Sequence, residues 1–484
     1  MKALLDRPYI MAPAAILILL LCVFWHFPTM GHDYAYFIPM LKDLRIAWHE
    51  HGVFNPLFTP SRCLGLPLWA NPSAYNLSLV HFLLLIMNEL SATVALLIII
   101  GSLSFVGAYL FARKYNVTVR WANYIALAWT LQGAIVVRGL AGHATYTMIG
   151  LFPLIFILLD KKKSLLLDLL SALACALILS QYILMSAPYL LVFLFGGALV
   201  LLALMKIWRD PNLTALDWRH FITKLSFTSF FFILIVGQRL LAIVDLMKNY
   251  GREIPMQEMG LLTTLPYAIL SNISFLPHDF LQMMEWNYGN WESVQYAFPA
   301  LLLLTAVISL RQKNEQAFKS LYFSLILLMA VTLILCSGVL APLFNLLPIL
   351  NSMHANPRWN LVTILGILYL AIQSVRLLPL NSHRIFYSLL ALAMLVPLLH
   401  IDRKNLGMNY AFNTGRDAAL NRLVYCYEPI FGYNLEAFPI RGRRINFLQE
   451  PLLDPRCYLS SAHCRPGKPL SPPDTEALKA YRLR

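Results

Sequence analysis

The sequence predicts an all-α membrane protein that crosses the bilayer about eleven times. Of its 484 residues, 59% are hydrophobic and only 13% are charged, and the mean hydropathy is +0.63. A soluble domain is roughly 45–50% apolar and about 25% charged. Long uncharged runs recur along the chain, and Lys and Arg gather in alternate connections between them. These observations exclude a soluble globular fold.

The uncharged runs define the predicted spans. A spanning helix needs about 20 apolar residues, and two of the runs, 146–159 and 296–310, are shorter than that. The first run follows Lys2 and Arg7, as a signal peptide would, but no small-x-small cleavage pattern comes after it, so we expect a retained first span. The predicted spans are 10–27, 91–111, 121–137, 146–159, 165–185, 188–205, 225–246, 296–310, 320–336, 359–375 and 385–400.

Positive charge alternates across these spans. Cytoplasmic loops of membrane proteins concentrate Lys and Arg, so we expect a multi-pass protein of the inner (cytoplasmic) membrane of a cell envelope, with its N-terminus inside and its C-terminus outside. The same rule explains the net charge of +14 without nucleic acid, for which no zinc-ligand, RNP or Walker pattern is present. The basic residues of the inner connections are Arg113, Lys114 and Arg120; Lys161, Lys162 and Lys163; Lys206, Arg209, Arg219 and Lys224; Arg311, Lys313 and Lys319; and Arg376 and Arg384.

Long connections lie on the opposite, outer face. The first outer connection, 28–90, contains a predicted amphipathic helix, Tyr34–His51, whose apolar residues recur at helical spacing. It also contains an apolar stretch at 77–87, which is too short to span and is expected to be interfacial or re-entrant. A second long outer connection covers 247–295.

The end of the chain is a polar tail, 402–484, long enough for a small outer, periplasmic extension beyond a transmembrane domain at 1–401. We expect a disulfide between Cys457 and Cys464, because they are close in sequence and lie in an oxidising compartment. The other cysteines outside the spans are Cys63 and Cys426, whose pairing stays open. Cys22, Cys175 and Cys336 fall within spans, where cysteine acts as a small hydrophobe.

Asp33 is the first candidate for chemistry, because it puts a carboxylate at the membrane edge, directly before Tyr34–His51. One interpretation is a helix N-cap, a common role for Asp. The other is a carboxylate that orients or deprotonates an acceptor hydroxyl. Because the helix dipole stabilises the anion, this residue suits orienting an acceptor better than removing its proton. The neighbouring His32 is a further candidate for binding substrate.

Three arginines and a histidine are candidates for binding an anionic phosphate. Arg138 and His143 bracket an outer turn whose glycines allow close approach of a ligand; alternatively, Arg138 reaches lipid headgroups. Arg239 lies inside the seventh predicted span, where a charge is costly and normally faces a cavity or a partner such as Asp245. Arg358 opens the tenth span from the outer side and either binds phosphate or anchors the helix at the interface.

The chain resembles the GT-C glycosyltransferases in its apolar first span, its long outer loop opening with Gly31-His32-Asp33, and the juxtamembrane helix that follows. The resemblance is best over roughly the first third of the chain. More narrowly, several segments resemble bacterial membrane proteins of the YfhO group, namely 31–33, 65–72, 138–143 and 426–433.

The resemblance implies a glycosyltransferase that moves a sugar from a polyprenyl-phosphate donor to a lipid or polysaccharide acceptor on the outer leaflet, a protein acceptor being less favoured. It implies that Asp33 lies at the active centre and that basic residues hold the donor phosphate. Arg138, Arg239 and Arg358 are candidates for that role by their chemistry. Many GT-C enzymes carry paired acidic residues in the first loop, whereas Tyr34 follows Asp33 here, so the motif does not support a divalent metal cofactor, which stays open.

Two other classes of protein stay open. A transporter or flippase of lipids or glycolipids would have internal repeats with matching broken helices around a site near the membrane midplane. The chain shows no convincing repeat, and Arg239 is the feature that favours this class. A non-catalytic GT-C-like scaffold would bind partners through its outer tail, and Asp33 would then be replaceable.

Overall fold

The described part of the fold is built mainly from α-helices, several of them long and apolar. The computed structural model describes residues 7–25, 27, 29–31, 34–52, 58–59, 66–67, 69–72, 74–160, 164–185, 187–214, 217–249, 315–344, 346, 356–377, 383–399 and 410–411. The helices are α1 Pro8–Val23, α2 Tyr34–His51, α3 Leu79–Leu84, α4 Glu89–Lys114, α5 Val119–Thr130, α6 Gly133–Ala141, α7 Phe152–Leu159, α8 Leu165–Leu184, α9 Tyr189–Ile207, α10 Pro211–Thr214, α11 Trp218–Asn249, α12 Glu315–Cys336, α13 Ala341–Phe344, α14 Ile364–Arg376 and α15 His383–Leu399. Two 3-10 helices, η1 Ala144–Leu151 and η2 Asn356–Val362, and the short strands β1 Thr29–Met30, β2 Phe58–Thr59, β3 Leu66–Pro67 and β4 Tyr410–Ala411 complete the described elements.

Within the described residues, six helical segments are long and apolar enough to cross a membrane, and four shorter apolar helices accompany them. They coincide with every predicted span except 296–310, which lies outside the described residues. The prediction of an all-α polytopic fold is therefore confirmed, and the chain is an integral membrane protein. The count of eleven spans stays a prediction. The six long segments are Glu89–Lys114, Val119–Ala141, Leu165–Leu184, Tyr189–Ile207, Trp218–Asp245 and Glu315–Cys336, and the shorter helices are Pro8–Val23, Ala144–Leu159, Ile364–Arg376 and Ile385–Met394.

Ion pairs join several helix ends on one side of the bundle. Lys114, at the end of α4, pairs with Asp160 after α7. Lys224, near the start of α11, lies 3.0 Å from the carboxylate of Asp168 in the first turn of α8, and its ammonium also donates to the Asp160 carbonyl. Three of the four residues belong to connections that the charge pattern assigns to one face, and the fourth, Asp168, lies one turn into the helix that follows such a connection.

A buried aspartate ties two more helices together at the same end. Asp210, just after α9, accepts hydrogen bonds from the Tyr369 hydroxyl at 2.7 Å and from Nε2 of Gln373 at 3.0 Å, both on α14. The ring of Tyr369 lies 5.6 Å from that of Tyr115, which follows α4. Since buried carboxylates need partners, Asp210 fixes the end of α9 against α14.

Strand pairing joins the first outer connection to the start of the tail. β1 and β4 are antiparallel, with Thr29 opposite Ala411 and Met30 opposite Tyr410. That both segments lie on the outer face stays a prediction. β2 and β3 pair within the first outer connection, with Phe58 opposite Pro67.

The predicted span 121–137 is interrupted, and the next one begins irregularly. α5 ends at Thr130 and α6 starts at Gly133, because Gln132 has extended backbone, with ψ 150°. The predicted span 146–159 begins as the 3-10 helix η1. Carbonyl groups of η1 accept hydrogen bonds from side chains of α5 and α8: Trp129 Nε1 donates to Gly150 at 2.9 Å, and the Tyr182 hydroxyl donates to Met148 at 3.2 Å. These donors reach η1 because the helices pack together, so the hydrophobic periodicity of the sequence does not reveal the irregular backbone.

Helix α4 packs closely on the segment that follows η1. A Cβ at Gly107 would lie 2.7 Å from the Cβ of Leu154 and 2.9 Å from its backbone nitrogen. Only glycine allows α4 and α7 to approach this closely at Gly107.

We expect Gly107→Ala to lower the free energy of unfolding by about 1–3 kcal/mol, because the added methyl group overpacks the contact with α7. Thermal unfolding in detergent measures the effect. Gly237→Ala is the matched control, since among the described residues its Cβ would meet the Ile233 side chain alone, at 3.3 Å. Alanine raises helix propensity by about 1 kcal/mol over glycine, so the control should be neutral or stabilising. Equal melting temperatures for the two variants would contradict this packing.

A second expectation concerns β1 and β4. Thr29→Cys combined with Ala411→Cys should form a disulfide under mild oxidation, because the two positions are register partners. Mass spectrometry of the digested protein detects the linked peptides. The pair Phe58→Cys with Ala411→Cys, taken from different sheets, is the control, and equal linkage in both double variants would refute the pairing.

Candidate functional site

The amphipathic helix predicted at Tyr34–His51 is α2, with the predicted bounds. Its apolar face is buried in the hydrophobic core of the helix bundle, whereas Lys42 and Arg45 are partly exposed. The prediction of an amphipathic helix is therefore confirmed, both in the helical period of its apolar residues and in the face that is buried. The buried residues of this face are Tyr34, Phe37, Ile38, Met40, Leu41, Leu44 and Trp48.

The far end of α2 is held against α3 and α4. The Nε1 of Trp48 donates to Nδ1 of the buried His81 at 3.4 Å, and their rings are 4.8 Å apart. Arg45 lies 3.5 Å from Glu89 and also donates to the Met87 carbonyl. The stretch 77–87 forms only the six-residue helix α3, in agreement with the prediction that it is too short to span.

The near end of α2 contacts the last turn of α6. The Tyr34 hydroxyl donates a 2.8 Å hydrogen bond to the Gly139 carbonyl. Complete burial raises the pKa of the Tyr34 phenol well above its usual value, so the hydroxyl stays a donor. A Cβ at Gly31 would lie 2.2 Å from the Leu140 carbonyl oxygen, so only glycine permits this approach. His32 and Asp33, between Gly31 and Tyr34 in the sequence, lie outside the described residues.

Arg138 is fully buried in the last turn of α6. The helix ends at Gly142, whose φ of +108° is the left-handed conformation that favours glycine, and the His143 N–H then donates to the Arg138 carbonyl at 2.9 Å. This turn brings Nδ1 of His143 to 2.7 Å from Nη1 of Arg138. Because a guanidinium can only donate, Nδ1 is the acceptor and the ring proton lies on Nε2.

Two arginines from distant parts of the sequence converge on the ring of Tyr146. The Cζ of Arg138 lies 4.6 Å from the ring centroid, and the Cζ of Arg358, on η2, lies 5.9 Å from it. The ring of Tyr189, at the start of α9, is stacked on Tyr146 at 6.2 Å. We call these four residues, together with His143, the Tyr146 cluster. Arg138 and Tyr146 form its buried floor, while His143, Tyr189 and Arg358 are half-buried.

Aromatic packing holds η2 in place beside the cluster. Trp359, next to Arg358, stacks on Phe344 at 4.4 Å and meets Phe193 edge to face at 5.6 Å. Phe193 lies one helical turn after Tyr189 on α9. The arginine is thus carried by a segment that is fixed on two sides, which favours a defined position for its side chain.

The structure brings three predicted site residues together and places a fourth in another set of contacts. Arg138, His143 and Arg358 meet at Tyr146, whereas the guanidinium of the fully buried Arg239 donates to backbone carbonyls of the first outer connection. Its partners are therefore carbonyls and not Asp245. The two glycines of the turn also serve packing: Gly142 ends α6, and a Cβ at Gly139 would lie 2.9 Å from Val23.

Sequence reasoning missed Tyr146 and Tyr189. Tyr146 comes three residues after His143, one turn of a 3-10 helix, and this spacing was the one local signal that could have found it. Nothing in the sequence pairs Tyr189 with it, because their contact depends on how α9 packs against η1.

The structure describes the cysteines within the predicted spans and not those outside them. Cys22, Cys175 and Cys336 are buried and form no disulfide with one another, as expected of cysteines within spans. Cys63, Cys426, Cys457 and Cys464 lie outside the described residues, so the disulfide stays a prediction. In the described segments, no group of three or more His, Cys, Asp or Glu side chains could hold a metal ion.

No protein-family model and no curated protein matches this sequence. A solved structure of ArnT from Cupriavidus metallidurans, bound to undecaprenyl phosphate, is similar to this chain. The two are 12% identical over 76% of each chain, with a TM-score of 0.36. An overlap this coarse transfers no residue, ligand or reaction from ArnT. The comparisons contain nothing that supports the narrower resemblance to the YfhO group.

Tyr34→Phe tests the hydrogen bond that joins the start of α2 to the Gly139 carbonyl. We expect it to lower the free energy of unfolding by about 1 kcal/mol, because the buried Gly139 carbonyl loses a donor. Thermal unfolding in detergent measures the loss. Tyr9→Phe, at a position that is 65% exposed, is the control and should leave the melting temperature unchanged. Equal stability of the two variants would show that the hydrogen bond contributes nothing.

Proposed function

We propose that this protein is a GT-C-type membrane glycosyltransferase that uses a polyprenyl-phosphate sugar as its donor. The observation that carries the proposal is the meeting of Arg138, Arg358 and His143 at Tyr146. A lipid phosphate is anionic, and guanidinium groups are the side chains best suited to bind it.

The Tyr146 cluster has the chemistry of a phosphate site. Arg138 and Arg358 supply positive charge from two elements, and the Nε2–H of His143 is a further donor, since Nδ1 is engaged by Arg138. The half-buried positions of His143 and Arg358 leave the cluster approachable. Partial burial strengthens charge-assisted hydrogen bonds, because the local dielectric is lower than in water.

Asp33 is the proposed partner of this cluster on the acceptor side. It precedes Tyr34, which is hydrogen-bonded to Gly139, the residue after Arg138. In this proposal the carboxylate orients the acceptor hydroxyl, whose oxygen forms a bond to the anomeric carbon of the sugar. The bond from that carbon to the phosphate oxygen breaks, and the hydroxyl proton passes to the carboxylate or to solvent.

Arg138, Arg358 and His143 then stabilise the charge that develops on the departing phosphate. Since a phosphate is a good leaving group, the reaction needs no general acid. The acceptor in this proposal is a lipid or a polysaccharide of the cell envelope, and His32 adds a second polar group beside the carboxylate.

A transporter of lipids or glycolipids is the second candidate, and the broken span Val119–Ala141 favours it. Discontinuous helices line the substrate sites of many transporters. Gln132 lies at the break and is 1% exposed, and neither atom of its amide group is hydrogen-bonded in the described part of the chain. Arg239, the residue that suggested this class, is engaged with backbone carbonyls, which weakens the case.

The test is a transfer assay with membranes, a radiolabelled polyprenyl-phosphate hexose and extracted lipid or polysaccharide acceptor. We expect Asp33→Asn to lower kcat by about 10²–10⁴-fold with little change in KM, as for loss of a positioned carboxylate. Arg358→Gln should raise KM for the donor by about 10–100-fold, because a charged hydrogen bond contributes about 1.5–3 kcal/mol.

Lys319→Gln is the control for the loss of one positive charge. Lys319 is exposed, and its partner among the described residues is Glu315, one turn away, so this variant should keep full activity. Transfer by a well-expressed Asp33→Asn protein at the wild-type rate would remove Asp33 from the mechanism. Vesicle uptake of the unchanged lipid, unaffected by Asp33→Asn, would support the transporter.

A further inference from the structure

Arg239 binds the backbone of the first outer connection from within a membrane helix. Its guanidinium is fully buried on α11. Nη1 donates to the Asn76 carbonyl at 2.8 Å, and Nη2 donates to the carbonyls of Ala74 and, at 3.4 Å, Asn71. The Cζ atom lies 6.0 Å from the centroid of the Trp69 ring. A planar fork of donors can reach three carbonyls at once, which a lysine ammonium cannot reproduce.

The loop that Arg239 binds, 69–77, ends in a strained conformation. Leu77 has a φ of +54°, which a bulky residue without glycine's freedom rarely adopts. Such a conformation persists only where surrounding contacts determine it. Before Leu77 in the sequence, Arg239 supplies such contacts. After Leu77, the Leu79 N–H donates to Oε1 of Gln181 on α8 at 2.7 Å.

A line of contacts leads from this loop to the Tyr146 cluster. The ring of Tyr75, between the Ala74 and Asn76 carbonyls, meets Phe37 of α2 edge to face at 5.1 Å. Phe37 in turn meets Tyr34 at 6.3 Å. Tyr34 donates to the carbonyl of Gly139, the residue after Arg138. Every step is a packed or hydrogen-bonded contact between buried groups.

We propose that Arg239 is a positioning residue, and not a ligand of the phosphate. By holding the loop 69–77 it keeps Tyr75 against α2, and thereby fixes the start of α2 beside the Tyr146 cluster. Three carbonyls accept hydrogen bonds from three of its five N–H groups, and the whole side chain is fully buried, so it is poorly placed to bind a substrate anion. The effect on turnover rests on the proposed function, whereas the effect on the loop does not.

The first measurement is independent of activity. In the full-length protein, Ala74→Cys is labelled with a maleimide, and mass spectrometry follows the peptide that contains residue 74. Ala74 is 1% exposed, so labelling is slow while the loop is held. We expect Arg239→Met to accelerate it at least tenfold, since methionine keeps the volume but leaves the carbonyls without donors. Arg239→Lys should fall between the two, because an ammonium cannot reach all three carbonyls.

Ala128→Cys, in the fully buried core of α5, is the control position. Its labelling should stay slow with Arg, Met or Lys at position 239, which would show that the helix bundle is intact. Equal acceleration at residues 74 and 128 would mean general unfolding, and no acceleration at residue 74 would mean that Arg239 does not hold the loop. Either result overturns the proposal.

The second measurement separates positioning from ligand binding. In the transfer assay, Arg239→Met should lower kcat at least tenfold and leave KM for the donor within twofold of wild type. A rise in KM as large as that of Arg358→Gln would make Arg239 a phosphate ligand and overturn its positioning role. If the wild-type protein transfers no sugar, the proposed function fails while the labelling result still decides whether Arg239 holds the loop.

Discussion

Inside a bilayer every backbone N–H and C=O needs a partner within the protein, and the site depends on how this requirement is met around η1. A 3-10 helix has poorer hydrogen-bond geometry than an α-helix. Trp129 and Tyr182 donate side-chain hydrogen bonds to carbonyls of η1, which stabilises the irregular segment. Because η1 carries Tyr146, these two aromatic donors also help to determine where the ring near both arginines lies.

Two positively charged side chains, Arg138 and Arg358, lie near Tyr146 of η1. Two guanidinium groups near one ring repel each other, and the attraction between a cation and an aromatic face contributes about 0.5–2 kcal/mol against this repulsion. In the proposed function, the negative charge of the donor phosphate would offset the positive charge of the two arginines. This is the arrangement expected of a site whose stability increases when its anion is present.

Much of the fold follows from sequence patterns, whereas the site does so only in part. Uncharged runs locate the described helices, and the period of Tyr34–His51 gives both the bounds of α2 and its buried face. Chemistry singled out Arg138, His143 and Arg358. Their convergence could not be predicted, because it depends on a 3-10 segment stabilised by residues of α5 and α8. Arg239 was recognised as unusual, but burial alone does not tell a ligand-binding arginine from one that binds carbonyls.

The contacts of Arg239 have a consequence for biogenesis. An arginine in the middle of a membrane helix raises the free energy of insertion by about 2.5–3.5 kcal/mol. Its carbonyl partners lie at residues 71–76, more than a hundred and fifty positions upstream. Since chains are synthesised from the N-terminus, those partners have left the ribosome before α11 emerges. The helix can therefore enter the membrane beside acceptors that are already in place, and the order of synthesis itself favours its insertion.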